Sequence, residues 1–285
     1  MTTLQAIVLG LTQGVTEFAP VSSSGHLILV PWLFNWTIVN DPALNKTFDV
    51  ALHIGTLIGA LAYFRRDVAK YLAAWAHSIR TRSMSTTDER MAWAIVIGTI
   101  PGAIAGAAFE NVITEKLGQP WLIAVMLAAL GVVLWLVDAR SRANRGLDSI
   151  GPRTGLAIGA AQALALQPGV SRSGITMTLA RAIGIDRESA ARFSFLLAMP
   201  IIAGAGVAKG AGLIHTGFQG YGTQFLWGFV ASATSGFLVI WGLLGYLRRH
   251  SYRVFMWYRL AVAELVLIMI ATGARSATIH GAGIS

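Results

Sequence analysis

A chain of 285 residues that is 55% hydrophobic and only 12% charged, with a mean hydropathy of +0.62, is too apolar for a soluble domain of its size. Its net charge of +9 would suit nucleic acid, but the basic residues collect in a few short loops, the pattern of cytoplasmic loops in a membrane protein, so no nucleic-acid face is expected. The absence of cysteine excludes disulfides, thiolate metal sites and cysteine nucleophiles.

The N-terminal MTTLQAIVLG has no basic segment ahead of its apolar run and no cleavage site, so no removed signal peptide is expected. Leu4 to Phe18 is too short to span comfortably and stops at Ala19-Pro20, and Gly25 to Trp36 resumes the apolar run, again short. Two half-length segments about a Pro/Ser/Gly break predict a re-entrant helix–loop–helix, tolerated only where its loop is buried in protein or lines water. After a polar loop at Asn40 to Lys46, Phe48 to Phe64 is the first full span. Arg65 to Arg90 carries six basic against three acidic residues, with an amphipathic stretch near Lys70 to Ile79, and is placed in the cytoplasm.

Met91 to Phe109 is the second span, kinked at Pro101-Gly102. Glu110 to Gly118 is acidic and outside, and Trp121 to Val137 is the third span. Asp138 to Arg153, with four arginines and two aspartates, lies inside. Thr154 to Gln167 and Gly174 to Ile183 repeat the half-length pattern about Pro168-Gly169. Ala190 to Val207 is the fourth span, the uncharged Gly210 to Gly222 an outer loop and Phe225 to Leu247 the fifth span. Arg248 to Arg259 places four arginines inside, and Leu260 to Thr272 is the sixth span, so both termini lie outside. The expected fold is an all-α integral membrane protein, one domain over 1–285, with six transmembrane helices and two re-entrant pairs.

Gln13, Val21, Ser22, Ser24 and Gly25 recur as Gln162, Val170, Ser171, Ser173 and Gly174, each at an offset of 149, which points to duplication. The first re-entrant pair enters from outside and the second from inside. The halves, approximately 1–137 and 154–272, are therefore expected to be inverted repeats whose broken tips meet near the midplane. Glu17, Ser22 to Ser24, His26 and Arg172 would converge there.

A carboxylate at that depth demands a function, since ionisable groups in lipid normally face a wet cavity. Gln13 and Glu17, spaced i, i+4, share a helix face and could hold Mg²⁺ or Ca²⁺ if substrate phosphates supply further ligands. The plainer role for Gln13 is a hydrogen bond to the neighbouring repeat. The turns that carry Ser22, Ser24 and Gly25, and Ser171, Ser173 and Gly174, each lead into a helix N-terminus, whose free N–H groups and dipole attract phosphate; simple capping is the competing role. Arg172 offers a fork of donors that matches phosphate, or else a buried salt bridge with Glu17. His26 lies three residues after Ser23 and could serve as base or acid, or merely be hydrogen-bonded. Asp49 and His53 are structural or line an outer cavity. Glu264 has no evident partner, Arg181, Asp186, Arg187, Glu188 and Arg192 read as cytoplasmic surface, and Trp32, Trp36, Trp121, Trp227 and Trp257 as interfacial anchors.

QGVTEFAPVSSSGH (Gln13 to His26) and PGVSRSG (Pro168 to Gly174) resemble the two signature regions of the undecaprenyl-diphosphatase family linked to bacitracin resistance (BacA/UppP type), and the layout is similar over nearly the whole chain. The resemblance implies a bacterial inner-membrane enzyme, open to the periplasm and dependent on a divalent cation. Such an enzyme removes the terminal phosphate of undecaprenyl diphosphate and recycles the carrier for peptidoglycan. It implies functional roles for Glu17, Ser23, His26 and Arg172; Gln13 occupies a position that can be Glu in relatives, which leaves a single carboxylate. Ser23 is the expected nucleophile with His26 or Glu17 taking its proton, while attack by His26 or by water stays open.

Three rival readings remain. An alternating-access transporter also uses inverted broken helices. An intramembrane serine protease would not need Arg172. The other lipid-phosphatase class places a histidine six residues after its arginine, where this chain has Thr178. Chain-length preference, cation and oligomeric state, a homodimer included, are not decided by the sequence.

Overall fold

A computed structural model describes residues 1–36, 42–108 and 117–279. Proline and capping residues set most of the boundaries. Helix α1 (Thr3–Phe18) opens with a capping box between Thr2 and Gln5 and ends before Pro20; α2 (Ser23–Phe34) starts on Ser22. A long α3 (Pro42–Tyr63) turns through 84° into α4 (Arg65–Thr81), followed by α5 (Thr87–Ala108) and α6 (Pro120–Arg140), the last with proline at its first position. Helix α7 (Pro152–Ala161) tightens into a 3₁₀ turn at Gln162–Leu166 and stops before Pro168, and α8 (Arg172–Ala182) starts on Ser171. The chain closes with α9 (Arg187–Thr216), α10 (Gly222–Leu247) and α11 (Arg253–Ala271).

The protein is an all-α membrane protein. Helices α5, α6, α9, α10 and α11 are each long and apolar enough to cross a bilayer, and α3 with α4 makes a sixth unit, bent at its middle. Helix α9 runs on to Thr216, well into the outer loop expected at 210–222, because no proline lies between Pro200 and Gly217, whose φ of +59° ends the helix. The polar loop expected at 40–46 is shortened likewise, since Pro42 to Lys46 already belongs to α3; most of the loop expected at 110–118 lies outside the described residues.

Close helix crossings hold the two short broken helices in place. A Cβ on Gly10 of α1 would lie 2.3 Å from the Gly228 carbonyl oxygen of α10, and one on Gly159 of α7 2.0 Å from that of Gly98 in α5. Backbones approach this closely only over small residues, the usual solution in lipid, where hydrophobicity does not drive helices together. Helices α3 and α9 run antiparallel: Ile54 packs where Gly206 leaves room and, just past the end of α3, Phe64 meets Phe195 at 6.5 Å, while Asp67 of α4 pairs with Arg192 at 2.7 Å.

The residues expected as cytoplasmic surface are more structural than that. Arg181 is 2% exposed and donates to Asp138 at 2.7 Å and to the Ile185 carbonyl, while Arg187 reaches Asp138 at 2.8 Å. One buried carboxylate thereby ties α6, α8 and α9 together. Glu264 stands exposed on the outside of α11.

Candidate active site

The two Ser turns have the same backbone shape. Ser22 (φ 76°) and Ser171 (φ 77°) both hold the left-handed region, which disfavours non-glycine residues, and both cap a helix, the hydroxyl oxygen accepting from Gly25 N–H at 3.4 Å and from Gly174 N–H at 3.1 Å. Conformations of this kind cost about 1–3 kcal/mol and persist where the surroundings enforce them. Here the enforcement is mutual. Gly169 N–H donates to the Ser22 hydroxyl at 2.9 Å, and the Ser173 hydroxyl donates to the Ala19 carbonyl at 3.0 Å. Gly25 and Gly174 leave the space for this: a Cβ on Gly25 would meet Ile123 at 3.1 Å, and one on Gly174 would meet Ser171 at 3.0 Å.

At the junction, Glu17 is buried and its carboxylate is fully engaged. Oε1 accepts from Arg172 Nη2, and Oε2 from the Ser23 hydroxyl at 2.5 Å and from Gln13 Nε2 at 2.9 Å, with His53 Nε2 3.7 Å away. Arg172 also donates to the Ala198 carbonyl at 3.4 Å. Ser23, Ser24, Glu17, Ser171 and Arg172 line a cavity of about 290 Å³, with Lys46, Asp49 and His53 of α3 along another wall. Among the described residues, the N–H groups of Ser23, Ser24, Arg172 and Ser173 donate no hydrogen bond within the protein. Two helix N-termini and a guanidinium are donors of the kind that suit an anion, and the Ser23 hydroxyl rests on a carboxylate beside them.

The structure brings Gln13, Glu17, Ser23 and Arg172 into one cluster. The hydroxyls of Ser22, Ser171 and Ser173 are buried and engaged in the turns, which leaves Ser24, on the cavity wall, as the free hydroxyl of the phosphate-binding set. Asp49 and His53 fall on the cavity, and Thr178 is buried with its hydroxyl on the Gly174 carbonyl. His26 is turned elsewhere. Its Nδ1 meets the Ser22 carbonyl at 2.8 Å and its Nε2 the Tyr258 hydroxyl at 2.9 Å, and the ring lies outside the cavity lining.

One residue escaped the sequence reading. Arg259, counted there among the inside arginines, is fully buried and donates five hydrogen bonds, all to backbone carbonyls: Leu127 at 2.8 Å, Met126 at 3.2 Å, Pro20 at 3.2 Å, Gly169 at 2.8 Å and Val170 at 3.2 Å. Pro20 and Gly169 are themselves 149 apart, so one guanidinium grips equivalent points of both turns. A trans peptide points its C=O and the following N–H opposite ways, so a carbonyl held at Val170 aims the Ser171 N–H away from Arg259. The available signal was depth: Arg259 lies six residues into α11, about 9 Å from its start, with apolar neighbours on both sides.

Among the described residues no group of three His, Asp or Glu side chains could hold a metal ion. Gln13 and Glu17 can offer oxygen side by side: Gln13 Oε1 is buried without a partner, and a half-turn of the amide would set it beside Glu17 Oε2. Two protein oxygens are too few for a six-coordinate cation, so a Mg²⁺ or Ca²⁺ fits here only when diphosphate oxygens and water complete its shell.

A family model described as bacitracin resistance protein BacA matches residues 6–265. The chain is 47% identical over 267 residues to an undecaprenyl-diphosphatase of Moorella thermoacetica, covering 94% of this chain and 97% of that one. Undecaprenyl-diphosphatases of Pelotomaculum thermopropionicum (45% over 271 residues, 95% and 97% covered) and Geobacter sulfurreducens (46% over 269 residues, 94% and 98% covered) are similar to it along the same length.

Proposed function

The chain belongs to the bacitracin resistance protein BacA family, and from that premise we propose how the cluster at the two turns works as the active centre. The protein is an undecaprenyl-diphosphatase: it hydrolyses undecaprenyl diphosphate to undecaprenyl phosphate and phosphate, returning the lipid carrier to cell-wall synthesis. The observation that carries the mechanism is the 2.5 Å contact from the Ser23 hydroxyl to Glu17, beside Arg172 and open to the cavity.

The terminal phosphate sits against Arg172 and the free N–H groups of the two helix starts, which spread its charge over fixed donors. A divalent cation held by Gln13 and Glu17 supplies further charge neutralisation when bound. Ser23 Oγ attacks the terminal phosphorus as its proton passes to Glu17 Oε2. The bond from phosphorus to the bridging oxygen breaks, and undecaprenyl phosphate leaves. Water then attacks the phosphoserine and frees phosphate. Glu17, already on the hydroxyl, is the base in this reading; His26 instead ties the start of α2 to Tyr258 of α11 and positions the turn.

Sidedness follows from charge. The cavity lies toward the N-terminal end of α3, whereas the arginines of α4 follow its C-terminal end, so with basic segments inside the cavity opens to the periplasm. The halves 1–137 and 154–272 read as inverted copies, a view supported by the matching φ of Ser22 and Ser171 and by the Gly10 and Gly159 crossings at the repeat offset.

The test is phosphate release by pure protein in detergent, where no transport can register. Wild type should release phosphate from C55 diphosphate, and Ser23→Ala and Arg172→Ala should each lose on the order of 10³-fold or more in kcat. Near-normal turnover by Ser23→Ala would remove the serine mechanism.

A further inference from the structure

Resting on the reading of the turn cluster as the diphosphate site, we propose that the apolar groove between α3, α4, α5 and α9 seats the isoprenoid tail of the same substrate molecule. The groove is a second cavity, of about 460 Å³, with side chains of Leu57, Leu61, Trp75, Ile95, Leu196 and Met199 in its wall. The hydroxyl of Thr99, which also borders it, is folded back on the Ile95 carbonyl at 2.8 Å, so it offers the groove no free donor.

Its position singles out the occupant. Along α3, Asp49 and His53 border the diphosphate cavity, and Leu57 and Leu61 border the groove, a continuous i, i+4 series with about 6 Å between steps. On α9, Ile201 and Ile202 border the first cavity, and Met199 and Ala203 the second. Because α3 and α9 run antiparallel, these two series lie side by side, so groove and site adjoin along one seam. A chain leaving the diphosphate cavity past His53 meets Leu57 of the groove about one helical turn further along α3. At the far end the 84° bend swings α4 across the seam, and its Val68 and Trp75 form part of the groove wall. A linear apolar chain with a doubly charged head matches this order of a polar chamber, an apolar channel and a cap. The groove therefore reads the isoprene units nearest the diphosphate and leaves the remainder of the tail in lipid.

Ala203 touches the groove and no part of the catalytic cluster, so Ala203→Trp fills the channel from α9. The expected result is a rise of about tenfold in KM for C55 and C15 diphosphates, with kcat within twofold of wild type and an unchanged unfolding midpoint. Independently, a prenyl diphosphate with a diazirine in its second isoprene unit, photolysed on wild type, should label peptides of α3, α4, α5 or α9, the helices that wall the groove. Excess C55 diphosphate should suppress that labelling, and excess phospholipid should not. Labelling confined to other helices, or labelling displaced by phospholipid, overturns the proposal, as does an unchanged KM in a folded variant; if the variant does not fold, the cross-link on wild type decides. Absence of phosphate release by wild type would instead refute the reading of the catalytic cluster, because the cross-link reports the groove without requiring turnover.

Discussion

Replacing Arg259 with methionine separates what this side chain does for folding from what it does for the reaction. Of its five carbonyl partners, those of Met126 and Leu127 belong to α6 and keep their helical hydrogen bonds, while those of Pro20, Gly169 and Val170 are stranded. Three buried unsatisfied carbonyls cost about 1–3 kcal/mol each, or about 3–9 kcal/mol together. Against that stands relief from burying a cation that has no carboxylate partner among the described residues, worth several kcal/mol. The two effects oppose, so stability changes by no more than a few kcal/mol. Turnover has no such compensation. Once the carbonyls are free to turn, the two Ser turns that carry Ser23, Arg172 and the free N–H groups of the helix starts lose their placement, and a displacement near 1 Å costs about 10²-fold. In detergent, Arg259→Met should therefore unfold near the wild-type midpoint yet show kcat lowered about 10²-fold, with Arg259→Lys between, since lysine keeps the charge but not the fork. A folded Arg259→Met with wild-type kcat would refute the positioning role.

A chelator should abolish phosphate release, and Gln13→Glu, by adding a second carboxylate beside Glu17, should lower the Mg²⁺ or Ca²⁺ concentration for half-maximal rate about tenfold; activity indifferent to chelation removes the cation from the reaction. Asp138→Asn leaves Arg181 buried without its countercharge and should cost about 3–5 kcal/mol of stability, read as a lower unfolding midpoint, with KM unchanged. Gly159→Leu drives a side chain into the Gly98 carbonyl and should prevent recovery of folded protein, whereas Gly204→Ala, with no neighbouring atom within 4 Å, should behave as wild type.

Local rules were readable wherever one residue decides a local event. Pro20 and Pro168 marked the breaks, the Ser22 and Ser171 caps marked the helix starts, and the i, i+4 spacing of Gln13 and Glu17 survives as a direct hydrogen bond. Polar residues whose partners lie far along the chain were not readable. Arg181 looked like surface because its partner, Asp138, is 43 positions away, and Arg259 looked like part of a basic loop because all five of its carbonyl partners precede it by at least 89 residues. His26 illustrates the same limit: three residues from Ser23 it could be a base, yet its ring pairs with Tyr258, 232 positions on. The end of α9 failed for another reason, since an uncharged, glycine-containing run in lipid has little to stop a helix before Gly217.

Because Arg259 comes from the final helix, the two turns cannot be clasped while the chain is still being made. During synthesis both hairpins can enter the bilayer early, but they stay an unlatched pair until the last span arrives with its guanidinium. A chain cut short before that helix would sit in the membrane carrying Glu17, Ser23 and Arg172, and still be a lock without its bolt.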